Sequence, residues 1–380
     1  LYCEAMTDNA YTKQPNDATQ NIGNGSYSTA DPYVKKVWDG RYTGIRMCNE
    51  LLENIDRVPD LDPELKKRYI GEAKVLRAYN YYELYTKFGD VPYTTKVLSI
   101  KESMSIARTA KATVIANVLA DLDEVINGNY LPTSYDADNK GRITRWTAMA
   151  IKAKIYLFEG NWTQVKNITS TIMTEGGFKL FGSYAGLFEI ANEYNSEVIL
   201  DAQYRPTSRE HQMMYVFLPP TLGGYSQLSP LQELVDSYIM LDGKTIKETG
   251  TSFDESHPYA NRDPRLKATV MYTGNSYTLA DGTEVVINCE KGEGKDGYGV
   301  GSDCSATGYY IKKYWDNTYR ATLYSGLNPI LIRYADILLM NAEALAELGE
   351  LDKTAWDATI KPIRDRAGFT LTSAVEFPEG

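Results

Sequence analysis

GEAKVLRAYNYYELYTKFGDVPY, residues 71–93, sets five tyrosines in a short run with a helix former at nearly every other position. Val75, Ala78, Tyr82 and Tyr85 recur at steps of three and four, the helical period, while Ala73, Leu76 and Leu84 mark a second apolar face. A helix that is apolar on two sides packs between neighbours. The tyrosines therefore read as a bundle interior with hydroxyls reaching its rim. Pro63 at the first turn and Gly89 past the last bracket a helix over 64–88.

The same logic extends outward. Trp38, Tyr42, Ile45, Asn49, Leu52 and Ile55 keep the helical step, with Pro59 shortly beyond, and make a hairpin partner for the first helix. Further helices are expected over 111–127, 145–160 and 161–173. In the second of these Ala150, Ala153 and Leu157 form one stripe before Gly160. A last pair is expected over 329–349, with Ala335, Leu338, Ala342 and Ala346 in line, and over 354–368. Small inner residues and glycines at the turns suit close helix pairs, and the scheme resembles the tetratricopeptide pattern without its usual tandem period. The expected fold is mainly α: tetratricopeptide-like helix pairs forming a superhelical scaffold over 34–175 and 329–368. A loop-rich irregular region with short strands covers 1–33 and 176–328. In that region EVILDAQY and EVVINCE are the extended runs, set among Gly, Pro and Tyr-rich loops such as FLPPTLGGYSQLSP and 291–308. Loops of such length usually bind something.

Composition narrows the function. The 380 residues carry 40 Lys+Arg against 50 Asp+Glu, a net charge of −10 with both signs interspersed, which argues against a nucleic-acid partner. No apolar run approaches the length of a membrane span. Thirty tyrosines are an unusual excess of rings with a polar handle, suited to half-wet surfaces as well as cores.

Catalytic signatures are lacking. The two histidines, His211 and His257, belong to no metal-ligand pair or Ser-His-Asp pattern. MLDGKT at 240–245 ends like a phosphate loop, but Tyr238 stands where its first glycine belongs. The carboxylates read as solvated surface, since a glycosidase pair is defined by a separation in space. Of Cys3, Cys48, Cys289 and Cys304, only the last two are placed to close a loop, and whether they are bridged depends on the compartment. No cofactor is expected. The 289–304 loop, with its Asp residues, is the one place for calcium; it lacks the EF-hand spacing and reads better as a surface loop.

The 71–93 run also resembles the SusD/RagB family of Bacteroidetes outer-membrane lipoproteins, whose members carry Gly-Glu-Ala, Leu-Arg-Ala, Tyr-Tyr and Phe-Gly-Asp-Val-Pro in succession. WDGRYTGIRMCNELLENID precedes it. RITRWTAMAIKAKIYLFEGNW, NSEVIL, NRDPRL (261–266), PILIRYADILLMNAEALAELG and IRDRAG (363–368) follow in the family's order. The chain begins at LYC without the family's signal and lipid-bearing cysteine, and the acidic, arginine-rich segment that usually follows Arg-Ala-Gly is missing. It is therefore expected to be incomplete at both ends.

The resemblance implies a non-catalytic, surface-exposed lipoprotein of the outer membrane. Such a protein captures oligo- or polysaccharide and delivers it to a SusC-like TonB-dependent transporter. Its membrane attachment would run only through a lipid anchor outside this chain. A peptide-binding RagB-like uptake protein and a helical-repeat protein-interaction scaffold are the alternatives. Family ligand contacts come from the loop before the first helix pair and from loops after Arg-Asp-Pro-Arg-Leu. Carried over, these regions supply Asp8, Tyr11, Tyr27 and Tyr33, then Tyr277, Tyr298, Tyr309 and Trp315. Each tyrosine could equally be packed beneath its loop. Trp38 and Trp146 lie on helical stripes and are expected in the core; Trp162 and Trp356 should lock helix pairs.

Overall fold

A computed structural model describes residues 2–13, 19–318 and 323–378. Residues 14–18 of the expected N-terminal loop thus lie outside the described residues. The chain divides into two compact units, one of Val34–Phe178 with Ile332–Leu351, the other of Leu1–Tyr33, Lys179–Leu331 and Asp352–Gly380.

The first unit is a stack of helices: α1 (Pro32–Asn54), α2 (Pro63–Phe88), α3 (Lys111–Asn127), α4 (Arg145–Phe158), α5 (Trp162–Glu175) and α6 (Tyr334–Glu347). Three of these starts have a local cause. The Asp62 carboxylate accepts the Leu65 N–H at 2.8 Å, with Pro63 in the first turn, and Thr144 and Asn161 cap α4 and α5 in the same way. Gly89, at φ +66°, turns the chain out of α2. From α2 to α6 each helix packs on the next, α5 against α6 being among the closest pairings. Buried Ala148, Ala150 and Ala153 on α4, and Ala335, Ala342 and Ala344 on α6, let the backbones approach. The Asn341 amide donates to Thr169 Oγ1 at 2.9 Å and ties α6 to α5. This is the expected tetratricopeptide-like, mainly α scaffold.

α1 meets α2 through long side chains instead. Trp38 sets its edge on Phe88, and the Arg77 guanidinium donates to Asn49 Oδ1 at 2.9 Å. Within α2 the expected faces need one correction: Leu76 is 44% exposed while Arg77, its neighbour, is buried. Tyr81 and Tyr85 are wholly inside. The Tyr81 hydroxyl donates to the Thr94 carbonyl and accepts its N–H, so a fully buried phenol is satisfied as both donor and acceptor. Tyr85 differs: its buried hydroxyl meets no partner, and burial pushes its phenol far up. Tyr85→Phe should therefore stabilise the protein by about 1 kcal/mol, read as a raised urea midpoint at unchanged slope.

Two expectations at the C-terminal end are corrected. Residues 330–333 form a strand before α6, because Ile330, Leu331 and Ile332 are branched apolar residues following Pro329. The helix α7 (Lys353–Ala367) belongs to the second unit, not to a pair with α6. Trp356 on α7 donates its indole N–H to the Val375 carbonyl at 2.9 Å, so it locks α7 to its own C-terminal segment. On the same helix Arg366 reaches the fully buried Glu197 at 2.8 Å.

The rest of the second unit is irregular, as expected. Among the described residues three short antiparallel pairs lie wholly within it: β1 (Ala10–Thr12) with β2 (Leu228–Pro230), β3 (Val270–Met271) with β6 (Tyr310–Ile311), and β4 (Ser276–Thr278) with β5 (Glu284–Val286). Met214, Phe217, Met271, Tyr277, Ile287 and Tyr310 form a core beneath the loops.

Candidate functional site

After β6 the chain makes a tight turn. The Lys312 and Lys313 N–H groups both donate to the Thr269 carbonyl, and the Trp315 N–H returns to the Lys312 carbonyl at 3.2 Å. Tyr314 takes φ +65°, a left-handed conformation uncommon for a bulky residue. Four consecutive side chains, Lys312, Lys313, Tyr314 and Trp315, are thereby turned onto one cleft of about 350 Å³. Phe188, Lys267, Thr278 and Asn317 complete much of its lining, and Glu189 is its one carboxylate among the described residues.

Each of these groups is held. The Trp315 indole N–H donates to the Thr278 carbonyl at 2.8 Å, and its ring meets Tyr277 edge-on at 5.2 Å. The Tyr314 hydroxyl accepts the Ile330 N–H at 3.0 Å, and its ring packs edge-on against Phe188. Lys313 Nζ lies 3.9 Å above the Phe188 ring centroid, a close cation–π contact. Lys312 Nζ donates to Asn275 Oδ1 at 3.0 Å; Asn275 is itself buried, its amide spent on the Lys267 and Val270 carbonyls. Burial, and then the neighbouring Lys267 charge, pull the Lys312 ammonium below the ordinary lysine range. The result is a half-open cleft with an aromatic wall and several hydrogen-bond donors, suited to a flat, hydroxyl-rich ligand.

Of the residues singled out from sequence, only Trp315 lines this cleft. Tyr277 lies directly beneath it and is fully buried, its hydroxyl donating to the Ile311 carbonyl at 2.8 Å. It supports the tryptophan and presents nothing to a ligand. Tyr309 is also buried, in a separate cluster with Val235, Leu266 and Val270, donating to Gln232 and accepting from Tyr259. Both take the packed position beneath their loops that the sequence left open beside a ligand contact. Tyr298 stays 40% exposed on the 289–304 loop, and Asp8, Tyr11 and Tyr27 are exposed on the N-terminal segment. Tyr33 is half-buried, its hydroxyl 3.2 Å from Cys3 Sγ. The N-terminal and 289–304 regions meet where Lys13 Nζ donates to the Cys304 carbonyl at 2.8 Å.

Sequence reasoning missed the three cleft lysines, Phe188 and Tyr314. It also missed the tilted Tyr215–Tyr225 pair, with ring centroids 4.2 Å apart. The signal for the cleft was the adjacency KKYW at 312–315. Cys289 and Cys304 are free thiols and buried. Burial, followed by the nearby Asp296 and Glu290 carboxylates, pushes the Cys289 thiol up to about 12, so it is inert as a nucleophile near neutral pH. Asp296 orders the same loop by accepting the Thr221 N–H and hydroxyl. Among the described residues no three His, Cys, Asp or Glu side chains converge as metal ligands, and no helix is long and apolar enough to cross a membrane.

A profile of the SusD family matches residues 187–379, and one described as starch-binding associating with outer membrane matches residues 1–157. SusD-like protein P25 of Formosa agariphila is 31% identical, over 94% of this chain and 69% of its own length. A SusD-like protein of Bacteroides ovatus is 22% identical over 92% of this chain and 62% of its own. Among solved structures, a SusD-like carbohydrate binding protein from Bacteroides fragilis superposes with a TM-score of 0.88 at 26% identity, over 99% of this chain and 72% of its own. Surface glycan-binding protein A from Bacteroides thetaiotaomicron, solved with laminarihexaose, shares the fold at a TM-score of 0.72 and 17% identity, over 98% of this chain and 77% of its own. With helix stack, loop unit and landmark order in agreement over both halves, the chain belongs to the SusD family.

Proposed function

We propose that this protein binds a glycan non-catalytically at the Trp315 cleft and hands it to a partner TonB-dependent transporter of the outer membrane, to which it is held by a lipid anchor. The observation that carries the reading is Trp315 itself. It is an aromatic ring fixed from below by Tyr277, tied by its N–H to Thr278, and bordered by Asn317 and lysine donors over an open cleft. A ring of this kind offers apolar contact to a sugar face while neighbouring polar groups bond its hydroxyls. The likeness to a SusD-like carbohydrate binding protein of Bacteroides fragilis, and to a family described as starch-binding, supports the ligand class. The mode of attachment and the partner rest on the family.

Binding without hydrolysis is favoured by the lining: among the described residues Glu189 stands there without a second carboxylate, and glycoside hydrolysis generally uses two. The reading requires no cofactor. A protein-interaction scaffold would put its exposed rings on the helical unit. Instead Tyr11, Tyr27, Tyr225, Tyr298 and Tyr324 are exposed on the loop-rich unit, against Phe158 on the helices.

Affinity electrophoresis against a panel of plant, algal and host polysaccharides tests the proposal. The native chain should be retarded by at least one of them. Trp315→Ala should weaken that retardation about thirtyfold with the fold intact by circular dichroism, the effect of removing a central aromatic anchor, and Tyr298→Ala should weaken it less. Absence of retardation across the panel, or retention unaffected by Trp315→Ala, would overturn the assignment. Release of reducing ends from a bound glycan would make the protein an enzyme.

A further inference from the structure

We propose that the Trp315 cleft is built for a saccharide bearing negative charge, either carboxylate or sulfate. This rests on the reading of the cleft as a glycan site and adds the ligand's charge to it. Over the whole chain acids outnumber bases, 50 to 40, yet among the described residues the cleft lining reverses the balance with Lys267, Lys312 and Lys313 against Glu189 alone. Glu284 lies close enough to act on Lys267 and Lys312 electrostatically. It does not line the cleft, and the Ser276 and Thr278 hydroxyls both donate to its carboxylate.

The lysines are arranged against their own interest. Lys267 and Lys312 repel one another, and burial further disfavours the Lys312 charge. Its hydrogen-bond acceptor among the described residues, Asn275 Oδ1, is neutral. Lys313 is stacked over Phe188, which places its ammonium beside the aromatic wall. Like charges gathered at a half-buried site raise the free energy of the empty protein, and an anion entering the cleft relieves that repulsion. A neutral sugar would bond these ammonium groups through hydroxyls but leave the repulsion in place. The adjoining aromatic wall makes a bare inorganic anion a poor fit, because half of the cleft would then stay unfilled. A sugar with an acidic substituent uses both halves.

Matched polymer pairs separate the sources of charge. Polygalacturonate against its fully methyl-esterified form isolates carboxylate, and dextran sulfate against dextran isolates sulfate. Titration calorimetry with the full chain should show binding to the anionic member of at least one pair, and at least tenfold weaker binding to its neutral counterpart. The double variant Lys267→Gln/Lys312→Gln should lose roughly tenfold in affinity for that polymer, as expected for two partly exposed charge-assisted contacts. Lys353→Gln/Lys361→Gln, on α7 and outside the cleft lining, should lose nothing. Raising NaCl from about 0.05 to about 0.5 M should weaken binding by a similar factor, a readout independent of any variant.

Binding of neutral glycans that depends on Trp315 but not on the two lysines would overturn the charge assignment and leave the glycan reading standing. No binding to any of the four polymers or to the wider panel would overturn both. Binding to polyglutamate as tight as to the anionic polymer and insensitive to Trp315→Ala would overturn the saccharide in favour of an acidic peptide.

Discussion

Replacing Arg77 with Met is expected to destabilise the protein by about 3–5 kcal/mol, the cost of removing one member of a buried ion pair. Arg77 is 4% exposed in the middle of α2, and its guanidinium spans three helices. Its Nη2 and Nε donate to Asp121 on α3 at 2.6 and 3.1 Å, and Nη1 donates to Asn49 on α1 at 2.9 Å. The Asn49 amide in turn donates to the Thr94 and Lys96 carbonyls, so one side chain organises the loop after α2 as well. Met keeps the apolar stem and removes the donors. Asp121 would retain only Lys74, at 3.5 Å, and Asn49 Oδ1 would be buried without a partner. Urea unfolding measures the loss, and a drop below about 1 kcal/mol would mean that water or Lys74 replaces the guanidinium. Arg77→Lys should recover little, because an ammonium cannot serve both helices at once.

Arg77 also marks the limit of what the sequence reveals. The periodicity of 71–93 is enough to place the helix, its ends and its burial on two sides, since apolar spacing and caps are local. It does not reveal that Arg77 is inside and Leu76 outside, because the partner that makes burial tolerable is a carboxylate on another helix. The same reason explains the strand at 330–333, read as the start of a helix from an apolar run that suits either state. In the loop unit, the ordered landmarks pointed to the region that holds the proposed cleft, and tryptophan at 315 was singled out there. Tyrosine type alone could not separate Tyr298, exposed, from Tyr277 and Tyr309, buried, because a phenol is satisfied either by solvent or by one carbonyl. The lysines escaped notice for a different reason. A charge is unremarkable in sequence, and its meaning here comes from β3 and β6 bringing Lys267 beside Lys312.

Tyr277→Ala is expected to cost about 3–5 kcal/mol and to carry ligand binding away with it, the range for deleting a large aromatic side chain from a packed core. Tyr277 is fully buried among Met214, Phe217, Met271, Ile287 and Tyr310, with Trp315 packed against the same cluster. Trp315 would lose its edge-on partner, and a cleft wall that tilts no longer presents a flat face. Tyr277→Phe separates the two contributions. It keeps the ring under Trp315 and removes only the hydroxyl bonded to the Ile311 carbonyl, which should lower stability by about 1 kcal/mol. Saccharide affinity should then stay within about twofold of native, because the phenol faces the protein and not the cleft. Thermal melts and affinity electrophoresis on the two variants give both quantities. A Tyr277→Phe protein that melts like the native chain but no longer binds would mean that the hydroxyl reaches the ligand. Tyr277 would then be part of the binding surface rather than the support beneath it.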